Sequence, residues 1–250
     1  MCRHLAYVGA PVGLGEVLVE PPHALFRQAW EPRRQRHGIM NADGFGVGWY
    51  VPGHDVPARH RAGIPIWADE TFPDLARVIR APALLAAVRS ATAGMGPGSA
   101  AAAPFRRGRW LFSHNGALAG WPASGGVLAA ALPPEQLVRL DAPTDAALLW
   151  ALPAARLEAG ASPGDALADV VRAAVAAGGG RLNLLLTDGS VIAATALGAS
   201  LSHRRAAGGV VVASEPYDDG PGWQDVPDGH LVVASPDGVE LTRLTLGLPT

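Results

Sequence analysis

Met1-Cys2-Arg3-His4-Leu5-Ala6-Tyr7-Val8 opens the chain, setting its only cysteine just ahead of Leu5 to Val8, a run with the apolar character of a buried strand. Removal of Met1, expected in front of a small residue, would put the Cys2 thiol and a free α-amine on one residue. An unperturbed thiol titrates at about 8.5 and an α-amine at about 7.7–8.0, so near neutral pH the amine can accept the thiol's proton. Nucleophile and base are then one residue. Taken alone, Cys2 reads first as an idle or lipid-modified terminal residue, and what overturns that lies further along the chain.

Working outward, Phe45 to Tyr50, Leu84 to Val88 and Trp110 to Ser113 are short apolar or aromatic runs bounded by turn residues, and with Leu5 to Val8 they suit one sheet. Leu182 to Leu186, Val191 to Ala196, Gly209 to Ala213, Leu231 to Ala234 and Val239 to Leu244 repeat the signal, with Asp188-Gly189 and Asp237-Gly238 as hairpin turns. These suit a second sheet. Helical periodicity appears from Pro73 through Leu75, Val78 and Ile79, from Asp145 to about Ala159, and from Pro163 to about Ala177. Two mainly antiparallel sheets packed face to face, with helices on both outer faces, bury all these elements in four layers, an α+β arrangement. Composition alone does not separate this from a two-layer α+β fold. No internal repeat or long linker divides the chain, which reads as one domain over residues 2–250; Gly94 to Pro104 is low in complexity and reads as a mobile loop.

The 250 residues suffice for one substantial core, and a net charge of −2 offers no electrostatic footprint for nucleic acid or an anionic membrane. A small-molecule substrate is expected. All 20 basic residues are arginine, which reads as genome composition and not as a device. One cysteine excludes an intramolecular disulfide, and no secretory signal follows Arg3 and His4, so a cytoplasmic location is expected. No run reaches the roughly 18 apolar residues of a membrane helix; Leu148 to Ala155 is interrupted by Pro153. The eight histidines never recur three to five apart, so no metal is implied, and no cofactor is expected. The oligomeric state is not readable.

Four segments carry candidate chemistry. Gly44-Phe45-Gly46-Val47-Gly48 lacks the following helix that a dinucleotide loop requires and reads as strand glycines admitting a close neighbour. Arg89, after the apolar run Ala83 to Val88, is either a surface cation at a strand end or a two-pronged carboxylate ligand. In Ser113-His114-Asn115-Gly116, Asn-Gly signals a type I′ hairpin, and the Asn115 amide and Gly116 N–H are equally able to face a developing oxyanion. Thr144-Asp145 is a helix cap and first-turn anion, or Asp145 pairs with a substrate ammonium.

In order, Cys2, Arg89-Ser90-Ala91-Thr92, His114-Asn115-Gly116 and Asp145 resemble the class II glutamine amidotransferases of the N-terminal nucleophile hydrolase superfamily. Further likeness, to one hydrolytic subgroup, comes from Pro32-Arg33-Arg34-Gln35, Asn41-Ala42-Asp43-Gly44-Phe45-Gly46, Ala213-Ser214-Glu215-Pro216-Tyr217-Asp218-Asp219 and Gly222-Trp223-Gln224-Asp225-Val226-Pro227. The resemblance covers almost the whole chain. It implies an αββα sandwich and cleavage of a γ-glutamyl amide through a thioester, with Cys2 as nucleophile and, through its amine, base. It also implies Arg89 on the glutamyl α-carboxylate, Asp145 on the α-ammonium, and Asn115 and Gly116 as the oxyanion hole. Many amidotransferases of this class carry His-Thr where this chain has Ala87-Val88, and a longer acidic motif where it has Ala146-Ala147. Those departures, and the lack of a second domain to receive ammonia, favour a free-standing hydrolase, and the likeness to the hydrolytic subgroup implies a leaving amine that carries a trimethylated histidine. The alternatives are a hydrolase of glutathione or another γ-glutamyl compound, and a non-catalytic γ-glutamyl-binding module. With seven tryptophans an aromatic cage for that cation is possible, although none is assigned to it.

Overall fold

Side chains on a strand alternate between its two faces, and in this protein the alternation sorts neighbouring residues into different layers. The computed structural model describes residues 2–91, 96, 98–206 and 208–247. The strands are β1 (Arg3–Gly13), β2 (Phe45–Trp49), β3 (Ala58–Ala62), β4 (Arg80–Val88), β5 (Phe105–Arg107), β6 (Trp110–Leu118), β7 (Gly180–Thr187), β8 (Ile192–Ala196), β9 (Ser202–Ala206), β10 (Gly209–Ala213), β11 (Gln224–Asp225), β12 (His230–Ser235) and β13 (Gly238–Arg243). The helices are α1 (Leu14–Leu18), α2 (Leu25–Gln28), α3 (Phe72–Val78), α4 (Ala123–Ala129), α5 (Pro134–Leu137), α6 (Asp145–Glu158) and α7 (Pro163–Ala176). One sheet runs β11-β9-β10-β1-β4-β2-β3 and the other β13-β12-β8-β7-β6-β5. Every pairing described is antiparallel.

Leu5, Leu84, Ala86 and Val88 pack outward against Leu14, Leu18, Leu25 and Phe72 of the first helical layer. Their neighbours Ala6, Val8, Ala83 and Leu85 face the other way, meeting Leu111, Leu185, Ile192 and Ala194 between the sheets. Phe112, Leu182, Leu184 and Leu186 in turn meet Leu148, Trp150, Leu167 and Val171 of α6 and α7. Each fully buried leucine contributes about 1.5–3 kcal/mol relative to exposure. The result is the four-layer αββα sandwich expected. Both long helices start at hydroxyl caps: Thr144 Oγ1 accepts the N–H of Ala147 at 3.2 Å and Ser162 Oγ that of Asp165 at 3.1 Å. No helix among the described residues is long and apolar enough to cross a membrane.

Several expectations are corrected. The run at Trp110 to Ser113 belongs to the second sheet, whereas Gly209 to Ala213 pairs with β1 in the first. Periodicity identifies a strand but carries no information about which distant strand completes its hydrogen bonds. Asn115-Gly116 is not a hairpin; it lies inside β6, opposite Asn183 and Leu182. Short helices α1, α2, α4 and α5 lack the length that makes helical periodicity legible. Within Gly94 to Pro104, residues 94, 95 and 97 lie outside the described residues, as do Met1 and Thr92, while Ala101 and Ala102 are buried. The glycines of β2 do admit a close neighbour: a Cβ on Gly46 would stand 2.5 Å from the Ala103 carbonyl oxygen.

Candidate active site

β1 begins where β4 ends. Pairing of Arg3 with Val88 and of Leu5 with Ala213 brings Cys2 out beside Arg89 and Ser90, and His4 beside Ser214. The Cys2 sulfur lies 4.0 Å from the Ser90 carbonyl oxygen. Cys2, Arg89, Gly116 and Asp145 line one pocket, together with Ser113, His114 and Thr144. Four segments far apart in sequence thus meet in one place, as the combined motifs lead one to expect.

Arg89 is 6% exposed, and its guanidinium donates to two backbone carbonyls, Asp43 at 3.1 Å and Gly96 at 3.2 Å. Among the described residues no carboxylate lies within salt-bridge range of it. A buried cation held by neutral acceptors keeps its charge available for an anionic ligand, and its planar donors suit a carboxylate.

Asp145, the first residue of α6, is also buried. Its Oδ2 accepts the N–H of Leu118 at 3.0 Å and its Oδ1 that of Ala146 at 2.7 Å. Leu118 therefore does not give its N–H to β7, whereas the next N–H, of Ala119, goes to the Gly179 carbonyl at 2.9 Å. In an antiparallel strand alternate residues direct their N–H groups to opposite sides, so Gly116 shares the side of Leu118. The pairing of β5 with β6 ends at Phe105 and Phe112, which leaves that side of Gly116 uncovered by β5 where the pocket lies. Gly116 lines the same pocket as Cys2, and a backbone N–H directed into such a pocket can stabilise a developing oxyanion.

Asn115 points elsewhere. It is fully buried and does not line the pocket; its Nδ2 donates to Ser214 Oγ at 3.2 Å, and its Oδ1 has no partner among the described residues. Ser214 Oγ also accepts the N–H of His4 at 3.0 Å, and the His4 ring lies 3.1 Å from Ser113 Oγ through Nδ1. A polar chain thus runs between the sheets directly behind Cys2. Burial, helped by His114 and Arg3, depresses the His4 pKa to about 3, so this imidazole is neutral. Burial pushes the Cys2 thiol up, and although Arg89 opposes that rise, the Asp145 carboxylate adds to it. The thiol therefore needs a base to become a nucleophile.

The remaining motifs form a support for β1. Glu215 is fully buried and accepts the backbone N–H groups of Arg33 at 2.9 Å and Arg34 at 2.8 Å. Arg3, fully buried as well, lies 3.9 Å from Glu215 Oε2 and donates to Gln35 Oε1 and Ser200 Oγ, each at 3.3 Å. Asn41 Nδ2 donates to the same Gln35 oxygen at 3.0 Å. The segment carrying Arg33 to Gln35 is thereby held against the residue next to Cys2. The roles of Arg3, His4, Ser214 and Glu215 escape sequence reasoning; the available signal is polar side chains beside apolar strand runs, Arg3 and His4 at the start of β1 and Ser214 and Glu215 just past the end of β10. Among the described residues no three His, Cys, Asp or Glu side chains converge as metal ligands.

Residues 23–206 match the family model of class II glutamine amidotransferases. The chain is 44% identical over 245 residues to a γ-glutamyl-hercynylcysteine sulfoxide hydrolase from Mycobacterium tuberculosis, covering 98% of this chain and 97% of that one. It is 42% identical over 249 residues to the protein of the same name from Mycolicibacterium smegmatis, covering 98% and 100%. In fold it is similar to a class II glutamine aminotransferase domain protein from Silicibacter pomeroyi, with a TM-score of 0.70 at 23% identity over 98% of this chain and 100% of the other. Family model, full-length relatives and fold agree with one another, and the chain belongs to the class II glutamine amidotransferase family.

Proposed function

We propose that residues 2–250 work as a single hydrolytic domain in the cytoplasm that releases glutamate from γ-glutamyl-hercynylcysteine sulfoxide, in the biosynthesis of ergothioneine. The observation that carries the γ-glutamyl part is the pocket itself, in which Cys2, the charge-unpaired Arg89 and Asp145 converge. A γ-glutamyl head carries one carboxylate, one ammonium and one reactive carbonyl. Those three residues match them in charge and chemistry. The relatives' name, borne by proteins whose length this chain matches over 97–100%, supports the sulfoxide as the compound cleaved.

In this reading Arg89 takes the α-carboxylate and Asp145 the α-ammonium, which sets the γ-carbonyl over Cys2. With Met1 removed, the Cys2 amine takes the thiol proton and sulfur attacks the carbonyl carbon. The oxyanion forms against the Gly116 N–H and the Asn115 amide. For Asn115 this requires its Nδ2 to be freed from Ser214, which an amide rotation with Ser214 Oγ donating to Oδ1 accomplishes. The carbon–nitrogen bond then breaks as the Cys2 ammonium returns a proton to the leaving amine. Water, deprotonated by the same amine, cleaves the thioester and glutamate departs. Acid and base exchange roles between the two halves of the reaction.

The test is glutamate release from γ-glutamyl-hercynylcysteine sulfoxide, glutathione and glutamine, with Cys2→Ala alongside. A strong, Cys2-dependent preference for the sulfoxide is expected. Preference for glutathione or glutamine would overturn the substrate while keeping the mechanism, and turnover surviving in Cys2→Ala would overturn the mechanism.

A further inference from the structure

His114 lines the pocket and is 4% exposed, yet it is neither nucleophile nor oxyanion donor in the mechanism above. Its Nε2 lies 3.0 Å from the Arg181 carbonyl oxygen. A carbonyl only accepts, so Nε2 carries the hydrogen, and in the neutral ring Nδ1 is a bare acceptor. That Nδ1 lies 4.0 Å from Asp145 Oδ2. Two acceptors therefore stand side by side with no donor supplied between them by the described residues. The carboxylate also has capacity to spare, since it accepts only the N–H groups of Leu118 and Ala146 where a carboxylate offers about four sites.

We propose that His114 is a substrate-binding residue, whose Nδ1 joins Asp145 Oδ2 in holding the α-ammonium of the γ-glutamyl substrate. This rests on the γ-glutamyl reading of the pocket. A nitrogen about 2.9 Å from both acceptors, the usual hydrogen-bond length, would see them at an angle of about 90°, which two N–H groups of one ammonium can serve. An ammonium has three donors and no acceptor, so paired acceptors select it. A glutaryl compound, which lacks the amine, would leave them facing each other unfilled.

The experiment measures binding of L-glutamate and of glutarate to Cys2→Ala protein, with and without His114→Gln, by calorimetry at neutral pH. Glutamine at this position keeps a donor for the Arg181 carbonyl while removing the imidazole Nδ1. The preference for glutamate over glutarate is expected to fall about 10- to 100-fold in the double variant, the range for a hydrogen bond to a charged group, while glutarate affinity holds. Equal losses for both ligands, or an unchanged preference, would overturn the role of His114. Failure of glutamate to bind the His114 protein at all would overturn the γ-glutamyl reading, and the inference with it. Should His114→Gln fail to fold, the imidazole 15N spectrum of the His114 protein decides: glutamate is expected to move the Nδ1 resonance and glutarate not, and equal responses to both ligands refute the proposal.

Discussion

Arg89 and Asp43 touch without forming a salt bridge: the guanidinium donates to the Asp43 backbone carbonyl at 3.1 Å, whereas the Asp43 carboxylate accepts the N–H of Ala91 at 2.7 Å. The local carboxylate is thus occupied, and the buried cation faces the pocket with its charge uncancelled. Arg89→Lys replaces a two-pronged contact by a point charge. It is expected to raise KM for a γ-glutamyl substrate about 10- to 100-fold with a smaller change in kcat. Steady-state kinetics with glutamate detection check this; equal effects on both constants would argue against a binding role.

Gly116 has no room for a side chain. A Cβ there would collide with the Arg181 carbonyl oxygen and stand 2.7 Å from His114 Nε2. Gly116→Ala is expected to displace the backbone donor and lower kcat at least about 100-fold, the scale of one lost oxyanion contact, while Tm also falls. Turnover near the native rate in this variant would remove Gly116 from the oxyanion hole.

How much of this was legible in sequence depends on what each signal encodes. Leu5 to Val8 and Leu84 to Val88 announce buried strands because apolar residues crowd between turn residues, Thr144 announces a helix start because a hydroxyl there caps free N–H groups, and Pro163 because proline suits a first helical turn. Sheet membership at Trp110 and Gly209 is not legible in sequence because pairing is settled by contacts between strands distant in sequence. Asn115-Gly116 mimics a turn, yet the glycine is required in mid-strand by the Arg181 carbonyl. At the site, Cys2, Arg89, Gly116 and Asp145 converge as their motifs implied, whereas Asn115 turns toward Ser214, a residue whose importance has no local signature.

Glu215 anchors the segment before Gln35 through two backbone N–H groups and lies near the buried Arg3. Glu215→Gln removes the negative charge and one of the two acceptor oxygens. Because it strands a buried guanidinium, the change is expected to destabilise the fold by about 3–5 kcal/mol. Urea unfolding measures this, and a loss below about 1 kcal/mol would show that the pair is not a support for β1.

The neutral, buried His4 makes stability depend on pH. Its pKa is about 3 in the folded chain against an ordinary 6.5, so between those values the unfolded chain binds the extra proton. Stability from this residue is present above about 6.5 and is lost as pH falls, at up to about 1.4 kcal/mol per unit. His4→Asn is expected to flatten the acid limb of a Tm–pH curve relative to the native residue. Superimposable acid limbs would contradict a buried neutral His4.

The central claim is that Cys2 carries the glutamyl group between two half-reactions. Rapid acid quench of processed enzyme turning over γ-glutamyl-hercynylcysteine sulfoxide, followed by peptide mass spectrometry, tests it most directly. The account predicts a glutamyl adduct on the Cys2 peptide that is absent from Cys2→Ala protein and lost once substrate is exhausted. Full turnover with no adduct at Cys2 at any quench time, and persisting in Cys2→Ala, would contradict it.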